Sequence, residues 1–308
     1  MKEVTINAND AGQRLDKFLT KYLANMPQSM LYKSLRKNCV RVNGAHIRDG
    51  KYMLRAGDVL RLYLKDEFFE PQSGFAAGNS DIDVVYEDEN IILINKESGI
   101  VVHSDDNGTE DTLLGRMQSY LYKKGEYNPE NEHSFAPAFA NRLDRNTSGI
   151  IIGAKNAAAL RIINEKIRSR EIKKLYLCVA DGRMEGSGTL TAYLERGEKK
   201  VSVTDTLTAN SKNIKTKYTV IASLGGKSLV EVELETGRTH QIRAQLAHIG
   251  HPLSGDKKYG SRSGGKMKLT SYKLRFDFRS DAGILNYLSG REFQIEADFS
   301  STFLTQNS

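Results

Sequence analysis

The amino-acid sequence predicts a protein of mixed helices and strands that is divided into two domains. At 308 residues the chain is long enough for a substantial core, and its length alone favours about two domains. Residues 65–80 lose all periodicity and gather proline, glycine and small polar side chains, as a tether between domains would. We therefore predict an N-terminal domain at residues 1–66, a linker at 67–80 and a second domain at 81–308.

The net charge of +7 is concentrated near the N terminus. Residues 13–64 hold eleven Lys or Arg and three Asp, a net charge of +8, which leaves the rest of the chain at −1. A basic excess confined to one segment is typical of a nucleic-acid-binding module.

Local patterns predict the elements of this basic segment. Apolar residues recur at helical spacing from 15 to 23, and Pro27 ends that helix. Ser29 is placed to cap a second short helix, and strands are predicted at 40–44 and 60–64. Basic residues of the second helix could be only a solvated face, which is the ordinary meaning of a charge run on a helix.

The second domain alternates between strand and helix patterns, with strands in the majority. The predicted strands are 82–86, 91–95, 100–103, 150–152, 173–180, 217–223, 228–235 and 268–278, with short strands in the polar stretch 186–213. The predicted helices are 113–123, 160–167 and one that opens at 237–243. In that last helix Ile242, Leu246 and Ile249 form the apolar stripe, and Arg243 lies on its flank.

A carboxylate between two arginines stands just before the β-branched run 150–152. Asp144 lies on the loop that enters this strand, and Arg142 and Arg145 flank it. Guanidinium groups favour the ionised form of a neighbouring carboxylate, and an ionised carboxylate can act as a nucleophile. The alternative is an Asx turn at Asp144 with two solvated arginines.

Residues 141–149 resemble the H-R-L-D-R-x-T-S-G signature of the RluA/RluD-type pseudouridine synthases, in which the aspartate is the catalytic nucleophile. Eight of the nine positions fit, and the departure is Asn141, where the family usually has histidine. The resemblance implies that Asp144 is the nucleophile here. It also implies an α+β catalytic domain with a long, bent, mostly antiparallel sheet, flanking helices and a cleft.

Two further stretches carry the same resemblance. The string K-x-Y-x-x-V-x-G at 174–182 is similar to the family motif whose tyrosine stacks on the target uracil and assists proton handling, which implies that role for Tyr176. The string G-R-T-H-Q-I-R at 237–243 is similar to the motif whose last arginine pairs with the catalytic aspartate. Arg243 is therefore expected to hold Asp144, and a planar guanidinium could do so through two parallel hydrogen bonds.

The resemblance also implies an RNA partner. The N-terminal segment is similar to the small α-L RNA-binding motif, which makes its basic residues candidates for RNA contact: Lys33, Arg36, Lys37 and Arg41. A uridine in an RNA stem must be flipped out to be reached, and Arg142 is the candidate to fill the space it leaves. Ribosomal RNA is the expected substrate, with transfer RNA as the alternative. The reaction needs no cofactor, and a monomer is expected.

Other chemistries fit less well. Cys39 and Cys178 suit neither a disulfide framework nor a zinc site, and no metal ligands are predicted. The string Gly-Gly-Lys-Ser at 225–228 fails as a phosphate-binding loop, since the required earlier glycine is Ile221. The sequence has no long apolar run and no signal-peptide pattern, so we expect a cytoplasmic protein away from membranes. The alternative function is an inactive RNA-binding or assembly factor that keeps the fold.

Overall fold

The computed structural model describes residues 1–69, 77–104, 110–198 and 200–304. The N-terminal part contains β1 (Lys2–Thr5), α1 (Leu15–Tyr22), α2 (Gln28–Arg36), β2 (Val40–Val42), β3 (Ala45–His46) and β4 (Val59–Leu62). The four strands form one antiparallel sheet in the order β1-β4-β2-β3. The core of this part is built from apolar residues that recur at helix and strand spacing, among them Phe18, Leu35 and Leu60, each fully buried.

The start of α2 differs from the prediction. Pro27 occupies the position just before the helix, so Ser29 lies inside α2 and caps nothing. The fixed φ of proline suits the start of a helix, and the Pro27 carbonyl accepts bonds from the amides of Met30 and Leu31. The helix therefore begins directly after the proline.

The rest of the chain forms one large sheet with helices on its faces. Its strands are β5 (Val84–Glu87), β6 (Ile91–Lys96), β7 (Ala138–Phe139), β8 (Ser148–Ala154), β9 (Ile172–Asp181), β10 (Ser187–Arg196), β11 (Val201–Thr204), β12 (Lys212–Leu224), β13 (Lys227–Leu234), β14 (Leu269–Phe276) and β15 (Glu292–Gln294). Its helices are α3 (Leu113–Lys123), α4 (Ala157–Arg168), α5 (Gln241–His248) and α6 (Ser301–Leu304).

The main path of this sheet runs β11-β10-β12-β13-β9-β14-β8-β6-β5, with β7 paired to β8 and β15 paired to β14. Every described pairing in it is antiparallel except that of β14 with β8. The predicted α+β class with a mostly antiparallel sheet is confirmed.

Strands β6 and β8 are covered on both faces, which explains why their sequences are continuous apolar runs. On one face Ile92 and Ile151 pack with Met117 of α3. On the other face Ile91 and Ile150 pack with residues of α4. The strand that follows the Asp144 loop is therefore anchored in the centre of the protein.

The parallel pairing of β8 with β14 joins only two residue pairs and brings the two backbones very close together. Gly149 has φ +114°, and a Cβ atom there would lie 2.3 Å from the Ser271 carbonyl oxygen. Only glycine fits both the backbone angle and the space. This approach places the Asp144 loop beside the strand β14 that pairs with β9.

Two predicted strand regions differ in the structure. Residues 100–103 form no strand, because the carbonyls of Val101 and Val102 accept hydrogen bonds from the first amides of α3 instead. The polar stretch 186–213, predicted as short strands, contains the ten-residue strand β10 as well as the short β11.

The N-terminal part contacts the rest of the chain through polar groups. Asp10 accepts a hydrogen bond from Ser134, and Asn9 accepts one from the backbone amide that begins α4. The predicted division at 66/67 and 80/81 stays a prediction, and residues 70–76 of the proposed linker lie outside the described residues. Over the described ranges, no helix has the length and apolar character needed to cross a bilayer.

Candidate active site

Asp144, Tyr176 and Arg243 come from three elements and line one cleft of about 780 Å³. Asp144 lies on the loop between β7 and β8, Tyr176 on β9 and Arg243 on α5. The sheet order places β9 and β8 on either side of β14, which explains how residues distant in sequence meet.

The Asp144 loop is held by backbone hydrogen bonds at Asp144 and Arg145 and by a side-chain hydrogen bond at its start. The Asp144 carbonyl accepts a bond from the Thr147 amide at 3.0 Å, and the Arg145 carbonyl accepts one from the Gly99 amide at 2.8 Å. Asn141, the departure from the family signature, accepts a bond from the Ile152 amide at 2.9 Å. The side chain at 141 therefore ties the start of the loop to β8.

Arg243 is shared between two carboxylates, which differs from the predicted two-bond grip on Asp144. Its Nη1 donates a single hydrogen bond to Asp144 Oδ2 at 3.0 Å. Its Nε and Nη2 donate to the two oxygens of Asp256 at 2.7 and 3.0 Å, and the Tyr259 ring centroid lies 5.1 Å from the guanidinium carbon. Arg243 therefore binds Asp256 through two donors and Asp144 through one.

Helix α5 is buried around its whole first turn and a half, not along one stripe. Gln241, Arg243 and Gln245 are all at most 6% exposed, while Ile249, predicted in the apolar stripe, is 38% exposed. Gln241 Nε2 donates a hydrogen bond to the Thr216 hydroxyl of β12, and that hydroxyl donates one to Gln245 Oε1. Periodicity treats glutamine as a surface residue, so it could not foresee a polar face packed against a strand.

Tyr176 is buried, at 6% exposure, on the cleft-facing side of β9. Burial raises its pKa, as does the negative charge of Asp144, and a hydrogen bond with Ser271 opposes the rise. The phenol is therefore neutral at ordinary pH. Its position beside Asp144 suits an aromatic face for a substrate base.

Sequence reasoning missed Lys96, which ends β6. Its side chain is fully buried, and its ammonium donates to the carbonyls of Glu97, Ile100 and Arg145 at 2.8, 2.9 and 3.0 Å. Burial lowers the pKa of Lys96 to about 8, and the Asp144 carboxylate opposes that effect. Through the Arg145 carbonyl, Lys96 thus holds the Asp144 loop against the end of β6. A lysine that closes a continuous apolar strand was the signal available in the sequence.

We expect Lys96→Met to destabilise the protein by about 3 kcal/mol, because three carbonyl oxygens lose the buried ammonium that they share. Urea unfolding of the purified variant measures this. The control is Lys123→Met, which removes an exposed lysine that bonds Ser80 and should change stability little. Equal stabilities of the two variants would contradict the structural role of Lys96.

His240 was also missed as a site residue, although it lies inside the third motif. Its Nε2 is 3.6 Å from Asp144 Oδ2, and its Nδ1 is 2.9 Å from the Tyr259 hydroxyl. Its backbone is left-handed, with φ +55°, a conformation that costs a non-glycine residue about 1 kcal/mol or more. Residues with such strain persist only where the surrounding structure holds them, and they are more frequent at active sites than elsewhere.

The candidate RNA-binding residues are all accessible at least in part. Arg142 is exposed at the cleft, and Lys33, Arg36 and Lys37 are exposed on or just after α2. Arg41 is half-buried, and its guanidinium lies 5.3 Å from the Tyr63 ring centroid. Their roles in binding RNA stay predictions.

The described part of the chain contains no group of three or more His, Cys, Asp or Glu that could hold a metal ion. The neighbouring histidines at 248 and 251 are engaged separately, His248 with Asp205 and His251 with the Asp181 carbonyl. Cys39 and Cys178 are both free thiols.

Comparison with known proteins gives one consistent family. The family model described as RNA pseudouridylate synthase matches residues 90–248. Ribosomal large subunit pseudouridine synthase C of Escherichia coli strain K12 is 34% identical over 274 residues, which are 85% of this chain and 81% of that protein. An uncharacterized RNA pseudouridine synthase of Mycoplasma capricolum is 29% identical over 299 residues, 94% of this chain and 96% of the relative.

A solved structure gives the same fold. Human RNA Pseudouridylate Synthase Domain Containing 1 superposes with a TM-score of 0.57 at 22% identity, over 76% of this chain and 88% of that one. The stretch matched by the family model contains Asp144, Tyr176 and Arg243.

Proposed function

This chain belongs to the RNA pseudouridylate synthase family, and from that premise we propose that it isomerises uridine in large-subunit ribosomal RNA with Asp144 as the nucleophile. The activity itself, isomerisation of uridine to pseudouridine in RNA, follows from the family. The choice of RNA is supported by relatives named as ribosomal large subunit pseudouridine synthases, 34% identical over 85% of this chain. The single observation that supports the catalytic assignment is the Asp144 carboxylate, bonded to a buried arginine within the cleft.

The reaction begins with extrusion of the target uridine from its RNA stem. Arg142, exposed at the cleft two residues before Asp144, fills the space left in the stem. The base enters the cleft and stacks on the Tyr176 ring, which presents an aromatic face beside the carboxylate. Stacking fixes the glycosidic bond against Asp144 in a confined space.

Asp144 then attacks the bound nucleotide, and the bond between ribose C1′ and uracil N1 breaks. The uracil turns, its C5 bonds to C1′, and the proton on C5 is lost while N1 gains one. Arg243 holds Asp144 in place with one hydrogen bond, and its fork on Asp256 keeps the guanidinium fixed. Asp144, Tyr176 and Arg243 all come from one chain, so a monomer is sufficient for the proposed reaction. A ribosomal RNA substrate is consistent with the predicted cytoplasmic location.

Incubation with ribosomal and transfer RNA transcripts carrying tritium on C5 of uridine tests the substrate. Tritium release from large-subunit ribosomal RNA, followed by mapping of one or a few pseudouridines, supports the proposal. Release from transfer RNA alone overturns the assignment of the substrate while leaving the activity intact.

The basic N-terminal segment is proposed to supply most of the affinity for long RNA. Deletion of residues 1–70 removes the segment 13–64, whose net charge is +8. Because each neutralised phosphate contributes roughly 0.7 to 0.9 to the slope of log affinity against log salt, the truncated protein should bind ribosomal RNA weakly and with a shallower slope. Fluorescence-anisotropy titration at several salt concentrations measures both quantities.

The truncation also removes Asn9 and Asp10, which contact the rest of the chain, so substitutions provide a second test. Replacing Lys33, Arg36 and Lys37 by alanine should lower the slope as well. The control replaces three exposed basic residues of the other domain by alanine, namely Lys123, Arg183 and Lys212. The control should bind more nearly as the wild type does. If the variant of Lys33, Arg36 and Lys37 and the truncated protein both bind with the wild-type affinity and slope, the segment does not contact RNA.

A further inference from the structure

The isomerisation requires a group that moves a proton. In the uridine C5 carries the hydrogen and N1 carries the sugar, whereas in the product C5 carries the sugar and N1 carries a hydrogen. The C5 proton must therefore pass to a base on the enzyme, and the electron pair of the C5–H bond forms the C5=C6 double bond. The C6=N1 pair then moves to N1, which takes one proton, so no net acid or base is consumed.

Few groups of the cleft can accept this proton, and of its two histidines, His103 and His240, only His240 lies within 4 Å of the Asp144 carboxylate. Tyr176 is a neutral phenol whose pKa is raised by burial, so the proton handling expected of it is limited to donation. Arg243 carries a guanidinium that does not deprotonate in proteins. The ammonium of Lys96 already donates to three carbonyl oxygens. The Asp144 carboxylate accepts the hydrogen bond of Arg243, and a carboxylate is by its chemistry a much weaker base than a neutral imidazole.

His240 has both the position and the orientation for the task. Its Nε2 lies 3.6 Å from Asp144 Oδ2, beyond hydrogen-bond distance, and its side chain lines the same cleft. The Tyr259 hydroxyl lies 2.9 Å from Nδ1, and the two rings meet edge to face at 90°. In the tautomer that carries its proton on Nδ1, the ring donates to Tyr259 and leaves the Nε2 lone pair free.

We propose that Nε2 of His240 accepts the proton that leaves C5 after the new carbon–carbon bond has formed. The inference rests on the proposed role of Asp144 as nucleophile. It gives the left-handed backbone of His240 a reason, since that conformation turns the ring between Asp144 and Tyr259. The imidazolium formed is stabilised by the nearby Asp144 carboxylate, and it returns the proton to N1 when the product is complete.

The groups that face His240 favour a neutral ring before the transfer. Burial lowers the pKa of His240, the carboxylates of Asp144 and Asp256 raise it, and the cations of Arg243 and Lys258 lower it. The net effect is a lowered pKa, so the imidazole is available as a base at neutral pH.

His240→Asn is the test, because asparagine tolerates the left-handed backbone and its amide can still reach Tyr259, yet it cannot act as a base. Single-turnover rates are compared for RNA with hydrogen or deuterium on C5 of the target uridine. The variant should lose about 100-fold or more in rate and gain a several-fold isotope effect that the wild type lacks. A third RNA carries 5-fluorouridine, which has no C5 proton to remove. The variant should rearrange this RNA at the wild-type rate.

Two results would overturn the proposal. If His240→Asn lowers the rates for RNA with uridine and with 5-fluorouridine equally, or if it shows no isotope effect, His240 only positions Asp144.

Tyr259→Phe keeps the imidazole but removes its Nδ1 partner, and it should show a smaller rate loss with the same kind of isotope effect. Wild-type turnover of the same RNA, measured by tritium release, tests the proposed function separately from the role of His240.

Discussion

Asp144→Asn is expected to lower turnover by more than about 1,000-fold while the protein stays folded and binds RNA normally. The amide fills the same space and can still accept the hydrogen bond from Arg243, but it cannot supply a carboxylate nucleophile. Tritium release from C5 of labelled RNA measures turnover, and anisotropy titration measures binding.

The control for this substitution must change a carboxylate without touching the cleft. Asp205→Asn does so, because the Asp205 side chain is 80% exposed and pairs only with His248 among the described contacts. A residual activity of Asp144→Asn above roughly one tenth of the wild-type rate would remove Asp144 from the role of nucleophile.

Arg243→Lys is expected to lower turnover by at least about 100-fold, although the charge is kept. An ammonium is a point donor and cannot bind both oxygens of Asp256 while also reaching Asp144, so one of the two carboxylate contacts is lost. Stability should fall as well, because Asp256 is only 3% exposed and would keep an incompletely satisfied charge. Single-turnover kinetics and urea unfolding measure the two effects.

Arg238→Lys is the matched control, since Arg238 is an exposed arginine on the rim of the same cleft. It should retain wild-type stability and nearly wild-type turnover on a short stem-loop RNA. Wild-type turnover of Arg243→Lys together with unchanged stability would show that the bond between Arg243 and Asp144 does not matter for the reaction.

The sequence predicted the elements that depend on local patterns and missed contacts between distant residues. Helix α3 begins and ends at the predicted residues, 113 and 123, because its apolar spacing is regular and Thr112 caps it. The strand predicted at 100–103 fails because its carbonyls are bound by α3, which the pattern of those four residues cannot reveal.

The same limit applies to the candidate site. Motif similarity brought Asp144, Tyr176 and Arg243 into one site, whereas periodicity alone left Arg243 on the flank of a helix. The partners of Asp256 and Lys96 could not be predicted from the residues next to them in sequence. The first acts through a guanidinium 13 positions away, and the second acts through a carbonyl 49 positions away.

Arg243 has two counter-ions with different roles: Asp256, bound through two hydrogen bonds, is permanent, and Asp144, bound through one, is transient in the proposed reaction. Asp256 is 3% exposed and is not among the residues that line the cleft, so we expect the proposed reaction to leave its charge unchanged. In the proposed reaction, in which Asp144 gives up its negative charge to the nucleotide, Arg243 is still neutralised by Asp256 and keeps its position. Arg243 Nη1 is then in the same place when the Asp144 carboxylate is released, so each proposed catalytic cycle would begin with the same arrangement of charges.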